Sequence, residues 1–241
     1  MPVRRFLRHL ALKVAAAVCK DCGPKIVYYH DMGREYTDMG TDVDLIKAHV
    51  EAARRDGFHF VDSIAHLREP RSVHICFDDG FRGIWDHAGW FVSERLHPTV
   101  FIPVGLIGQK GYLTWTEVLE LQRMGFHFEG HTWSHRPLTD VPEAEWQHEL
   151  RDAKCYLEDK LGHEVDSLCF PCGFFSDDVI AAAREAGYRY LVASFPGCVK
   201  EDETLIPRHL VQSFSVADYR LVLKGALVPF RARYIRQHRK A

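Results

Sequence analysis

The sequence predicts an α/β protein built on a parallel sheet, either doubly wound or closed into a barrel. Three observations point there. Short apolar runs alternate with stretches of helical period along most of the 241 residues. No Pro-, Gly- or Ser-rich linker, internal repeat or low-complexity tract divides them. The polar clusters sit where apolar runs stop, and parallel sheets gather functional groups at the C-terminal ends of their strands.

The elements follow in order. Residues 1–24 read as a basic helical segment with Arg4, Arg5, Arg8 and Lys13. Residues 26–29 (Ile-Val-Tyr-Tyr) predict a strand, and residues 44–56 a helix closed by Gly57. Residues 73–77 predict a strand ending at Asp78-Asp79-Gly80, residues 84–96 a helix, and residues 99–104 a strand. A helix over 116–124 stops at Gly125, before a short strand over 126–129. Residues 143–161 predict one long helix and residues 167–170 a strand. Ser176 or Asp177 caps a helix that runs to Ala186 before Gly187, and residues 190–193 predict the last strand. Residues 216–241 read as a basic helical tail, with Arg231, Arg233, Arg236, Arg239 and Lys240.

Composition narrows the function. Hydrophobic residues at 46% and charged residues at 27% exclude disorder, a collagen-like chain and a membrane bundle. A net charge of −2 gives no global field for nucleic acid, so no nucleic-acid partner is expected. Seven scattered cysteines in a chain of ordinary core size point to reduced thiols and a cytoplasmic home. Cys19-x-x-Cys22 with Cys169-x-x-Cys172 offers a four-thiolate zinc site as an alternative to idle thiols. No apolar run reaches the roughly 18 residues of a spanning helix. Residues 7–19 resemble a signal peptide only faintly, because His9 and Lys13 interrupt them. A basic amphipathic helix on a membrane surface competes there with a solvated terminal helix.

Four strand-end clusters could carry chemistry. Phe77-Asp78-Asp79-Gly80 places two carboxylates side by side, a poor structural arrangement unless something positive sits beside them. His131-Thr132-Trp133-Ser134-His135 puts two imidazoles at i, i+4, which on a helical turn would face one metal. Fifteen histidines make about one such pair by chance, and His127 with His131 forms another, so the pair needs its context. Phe170-Pro171-Cys172-Gly173 is a turn whose N–H groups could hold an oxyanion or merely open the next helix. Tyr28-Tyr29-His30-Asp31 ends in a histidine placed for acid/base work or for a structural hydrogen bond.

His30, Phe77-Asp78-Asp79-Gly80, His131-x-x-x-His135 and Phe170-Pro171-x-Gly173, in that order, resemble the polysaccharide deacetylases, the nodulation-deacetylase-like carbohydrate esterases. The resemblance covers residues 25–211, and the Tyr-His start resembles the poly-N-acetylglucosamine deacetylase branch. It implies a single catalytic domain over 25–215, folded as a distorted (β/α) barrel with fewer than eight strands. It also implies a divalent metal, zinc first, on Asp79, His131 and His135, with Asp78 as general base and His30 as general acid. Other branches draw the acid from a late histidine, for which His209 is the candidate; Arg208 beside it would discourage protonation if both faced the pocket. Pro171, Cys172 and Gly173 fall on the oxyanion and substrate wall. Two departures touch that wall: Cys172 stands where many relatives have tyrosine, and no arginine sits beside the motif.

The chemistry implied is hydrolysis of an N-acetylated amino sugar within a glycan or glycoconjugate. Alternatives are a deformylase acting on a lipid-linked amino sugar, a barrel that binds carbohydrate without turning it over, and a metal protein using the thiols. Basic termini admit peripheral contact with a membrane surface.

Overall fold

The apolar runs that alternate along the sequence become the staves of one closed parallel sheet. In the computed structural model, residues 2–19, 23–200 and 203–240 are described. The elements run α1 (Pro2–Cys19), β1 (Lys25–Tyr29), α2 (Val43–Arg55), β2 (His59–Phe60), β3 (Ser72–Asp78), α3 (Gly83–Asp86), α4 (Ala88–Ser93) and β4 (Thr99–Ile102). They continue with α5 (Trp115–Arg123), β5 (His127–Gly130), α6 (Ala153–Leu161), β6 (Ser167–Cys169), α7 (Asp177–Glu185) and β7 (Tyr190–Ala193). The last are β8 (Ile206–Pro207), β9 (His209–Leu210), α8 (Val216–Leu223) and α9 (Arg231–His238).

The sheet order is β8-β7-β6-β5-β4-β3-β1-β9, with every ladder parallel. Only Arg208 separates β8 from β9, so one short segment pairs with β7 through its first half and with β1 through its second. That segment closes the barrel. Counted so, seven positions ring the axis, with β2 paired to the first residues of β3. The single domain is thus a (β/α) barrel short of eight staves, as the resemblance implies.

Side chains alternate across the staves. Val27, Tyr29, Ile75, Phe77 and Val100 join the large cluster packed under the helices. Ile26, Tyr28, Cys76, Phe101, Cys169 and Val192 form a separate cluster that fills the interior. Strands buried on both faces need apolar residues at successive positions, hence the unbroken runs in the sequence.

Three expected elements differ. The helix over 84–96 is two pieces, α3 and α4, because the chain leaves helical geometry at His87 (φ −115°), which ends the first and precedes Ala88 at the start of the second. The strand from Thr99 ends at Ile102, since Pro103 cannot extend a ladder. The long helix over 143–161 passes through a π-helical stretch, Gln147–Asp152, before α6. Residues 206–210, expected to follow the last strand, are the closing strand itself. At the ends of the chain α8 packs against both α1 and α2, with Leu12 and Ala15 buried on α1.

Candidate active site

The C-terminal ends of β1, β3, β5 and β6 bring the four sequence clusters to one mouth. A cavity of about 460 Å³ opens there, bordered by His30, Asp78, Asp79, His131, His135 and Cys172. Its far wall is apolar and comes from later in the chain, with Leu210, Phe214, Leu227 and Tyr234.

Asp78 is the last residue of β3 and points into the barrel. Arg208 meets it with two hydrogen bonds, Nη1 to Oδ1 at 2.7 Å and Nη2 to Oδ2 at 2.8 Å. The guanidinium is fully buried, lies 4.0 Å above the Tyr28 ring and also reaches Cys169 Sγ at 2.9 Å. Burial alone would raise the Asp78 pKa, but Arg208 outweighs it and holds the carboxyl below its usual range. Arg208 is the positive charge that two adjacent aspartates require. Its position two strands from the aspartates hid it from the sequence, which offered no arginine beside the Phe170 motif.

Asp79 turns the other way because the backbone turns. Its φ is 71°, left-handed and unusual for a residue with a Cβ, and Gly80 follows at 73°. A Cβ on Gly80 would lie 2.8 Å from Ile102 Cγ2, so only glycine fits. Asp79 Oδ1 then lies 3.3 Å from His131 Nε2 and 2.9 Å from His135 Nε2. Burial opposes the charge on Asp79, and the two imidazoles beat it, keeping the carboxyl well below its usual range. His135 is pulled down by burial and up by Asp79, and Asp79 wins.

The two histidines are not on a helical turn, contrary to the expectation from their spacing. Thr132 and His135 both take left-handed φ, 67° and 65°. The loop is held from outside by Glu149, buried on the π-helical stretch. Its Oε2 accepts from the Trp133 and Ser134 N–H groups at 3.1 and 2.9 Å, and its Oε1 from Ser134 Oγ at 2.6 Å. Nothing in the spacing of Glu149 announces this; the π turn that aims it is a departure from regular helix that sequence period cannot reveal.

The donors suit a divalent metal. Oδ1 of Asp79 is buried without a hydrogen bond of good geometry. His131 Nδ1 donates to Cys169 C=O at 2.7 Å, which leaves Nε2 with a free lone pair. One carboxylate oxygen and two imidazole nitrogens therefore converge, all within 4.8 Å of one another. Asp78, His131 and Cys169 also place their donor atoms within 4.8 Å of one another. Arg208 occupies that second group with positive charge, and burial pushes the Cys169 thiol up, so it is the poorer cation site. Of the alternative four-thiolate set, Cys22 lies outside the described residues, while Cys169 is buried and Cys172 exposed.

His30 is half-buried, with Nδ1 2.7 Å from Gln212 Oε1. Because that oxygen only accepts, Nδ1 carries the hydrogen and Nε2 is the atom free to exchange a proton. His209 also borders the cavity, yet its Nε2 faces Gly197 C=O at 2.9 Å and its ring is buried. Arg208 and His209 both line the cavity, with the Arg208 guanidinium paired to Asp78. In the Phe170 turn, Gly173 N–H is spent on Phe170 C=O at 2.9 Å, which removes it from the expected oxyanion donors. Pro171 is buried beside it, and Cys172, at φ 56°, borders the cavity together with Phe170.

The profile of the polysaccharide deacetylases matches residues 67–191, just over half of the chain, and takes in Asp78, Asp79, His131 and His135. The chain belongs to the polysaccharide deacetylase family. It is 26% identical over 143 residues to a Bacillus subtilis (strain 168) protein named "Putative polysaccharide deacetylase YxkH", covering 59% of this chain and 51% of that one. The chain thus matches about half the length of that curated relative. Among solved structures, IcaB from Ammonifex degensii superposes with TM-score 0.75 at 17% identity, over 85% of this chain and 98% of that one. The Streptococcus pyogenes deacetylase PplD, in complex with acetate, gives 0.73 at 19%, over 83% and 97%. These likenesses establish the barrel as the family's fold.

Proposed function

We propose that this deacetylase is a metal-dependent hydrolase that removes N-acetyl groups from an amino-sugar glycan or glycoconjugate, with zinc on Asp79, His131 and His135. The observation that carries the reading is the convergence of those three donors in a cavity that Asp78 and His30 also border. When bound, the metal supplies Lewis-acid polarisation of the acetamide carbonyl and lowers the pKa of a water. Asp78, kept ionised by Arg208, takes the proton of the attacking water. His30, with Gln212 fixing its ring, returns a proton to the departing sugar nitrogen. An amine leaves poorly unless it is protonated as the bond breaks, so this step needs a group on the other side of the site from the base. Cys172, which borders the cavity, supplies the backbone donor for the oxyanion in this reading.

Acetate and formate release from N-acyl amino sugars in polymeric, oligomeric and lipid-linked form tests the reading, with the metal content measured on the same sample. Acetate release that stops on chelation and returns with zinc is expected. Formate in its place would assign a deformylase. Binding of the sugars with neither product would make the barrel a carbohydrate-binding module.

A further inference from the structure

Ten large apolar side chains are exposed among the described residues, and their distribution is uneven. Five of them, Phe6, Leu7, Leu10, Val14 and Val18, lie on α1 at 49% to 78% exposure. At 3.6 residues per turn they span an arc of about 120°. The opposite side of α1 is already spent, with Leu12 and Ala15 buried toward α8. The helix is therefore apolar on both faces, and the outer one is left exposed by the described residues. Three more belong to the same region. Met39 and Leu210 border the catalytic cavity, and Phe230 sits in the turn that packs on α1.

The helix and the cavity share a wall. Phe6 lines a groove with Arg34, Met39, Ser213 and Phe214, and the last three of these also line the catalytic cavity. An apolar strip thus leads from α1 to the mouth of the site. Patches of this kind mark contact surfaces. Charge says which kind. Lys13 is exposed at the border of the stripe, Arg34 is exposed in the groove, and Arg233 and Arg236 are exposed on α9, beside the Tyr234 that lines the cavity. Of the two acids lining that groove, Asp218 pairs with Arg8 at 2.8 Å, and Asp38 is exposed, so the net positive charge comes from Lys13 and the α9 arginines. No helix of the described residues is long and apolar enough to cross a membrane. An apolar helix face bordered by cations suits the interface plane of a bilayer bearing negative headgroups.

We propose that α1 and the adjoining rim of the cavity dock on an anionic lipid surface, so that the site meets its amino sugar there. The second half of that statement rests on the hydrolase reading, and the first does not. The full chain floated with vesicles of phosphatidylcholine and phosphatidylglycerol should be bound, less so as salt rises, and should bind pure phosphatidylcholine more weakly. The variant Leu7→Ser/Leu10→Ser/Val14→Ser alters exposed positions only. It should lose at least about tenfold in vesicle affinity while keeping its unfolding midpoint and its hydrolysis of soluble substrates. Lys13→Glu/Arg236→Glu should weaken binding to the anionic vesicles alone. Docking is overturned if the wild-type chain does not float, or if the triple variant floats as well. A wild-type dimer in solution that the triple variant splits would give the stripe to a second copy and overturn it equally. Flotation is read without substrate, so a missing hydrolase activity would leave the docking result standing.

Discussion

At the mouth of the barrel, buried carboxylates meet side-chain nitrogens; at its base, buried polar side chains are satisfied by backbone groups and a hydroxyl. Both ends use the inward positions of the same strands. At the mouth Asp78 meets Arg208, and Asp79 meets His131 and His135. At the base His74 donates Nδ1–H to Val61 C=O and accepts from Thr99 Oγ1, each at 2.8 Å, and Glu129 accepts from Ser167 N–H at 2.9 Å. Burial opposes charge in both places, but the outcome differs. Burial wins at the base, lowering His74 to about 4 and raising Glu129 to about 8, so both are held neutral. At the mouth opposite charges win, and the aspartates stay ionised. Left-handed backbone follows the same division. Of the six non-glycine residues with positive φ among the described residues, Asp79, Thr132, His135 and Cys172 are at the mouth. Strain of roughly 1–3 kcal/mol per residue persists only where surrounding structure enforces it, as Glu149 does for the histidine loop. The mouth is arranged to keep charge available, and the base to stay folded.

The sharpest way to break this comparison is to remove a donor from the mouth. His135→Ala should lose the metal and turnover together, by at least about a thousandfold in kcat/KM, with little loss of stability because the side chain is partly exposed. Atomic emission and acetate release on one sample check it. A variant that keeps full metal occupancy would end the assignment. Glu149→Ala should have a weaker form of the same defect, since it frees the loop without touching a donor. Its metal affinity should fall by about 10–100-fold, the range for outer supports of metal ligands.

Next comes the buried pair. Arg208→Met strands Asp78 without its partner and should cost about 3–5 kcal/mol in denaturant unfolding. Because Arg208 depresses the Asp78 pKa in the folded state, its contribution is present above the unfolded value near 4 and disappears as pH falls through the lower folded value. The difference between wild type and variant should therefore shrink in acid. A gap unchanged down to pH 2 would mean the loss is packing alone. Asp78→Asn, which keeps the shape, should retain the metal and lose most turnover.

His30→Ala should keep the metal, lose about 10²–10⁴-fold in turnover and lose the alkaline limb of its pH profile. An activated ester, whose leaving group needs no proton, should suffer less. If His209→Ala behaves this way and His30→Ala does not, the acid sits at the closing strand.

What the sequence disclosed divides along similar lines. The barrel was legible because strands covered on both faces must be apolar throughout, and the aspartate and histidine clusters were legible because polar residues at strand ends interrupt those runs. Arg208 was hidden by chain distance: 130 residues separate it from Asp78, and only barrel closure brings them together. The closing strand itself was hidden by content, since Pro207, Arg208 and His209 carry no strand pattern. Spacing misled at His131 and His135. A separation of four suggests a helical turn, whereas the loop owes its shape to Glu149, a residue that local period cannot link to it.

The smallest effect on activity is expected at the base, and it tests the other side of the comparison. His74→Gln can still donate to Val61 C=O and accept from Thr99, so kcat/KM should stay within a factor of about two while stability at pH 7 falls by roughly 1 kcal/mol. The pH dependence is more telling. His74 has a folded pKa of about 4 against 6.5 unfolded, so between those values the unfolded chain binds the extra proton and wild-type stability climbs with pH. At 1.36 kcal/mol per unit, that climb is about 3 kcal/mol for this fully buried ring. Glutamine does not titrate and lacks this component. The variant should thus be the less stable protein at pH 7 and the more stable one near pH 4.5, with the crossing read from paired denaturant titrations. Two parallel curves would show that His74 is not held neutral by burial. A tenfold loss of turnover would mean that the base and the mouth are coupled, and that the division between them is wrong.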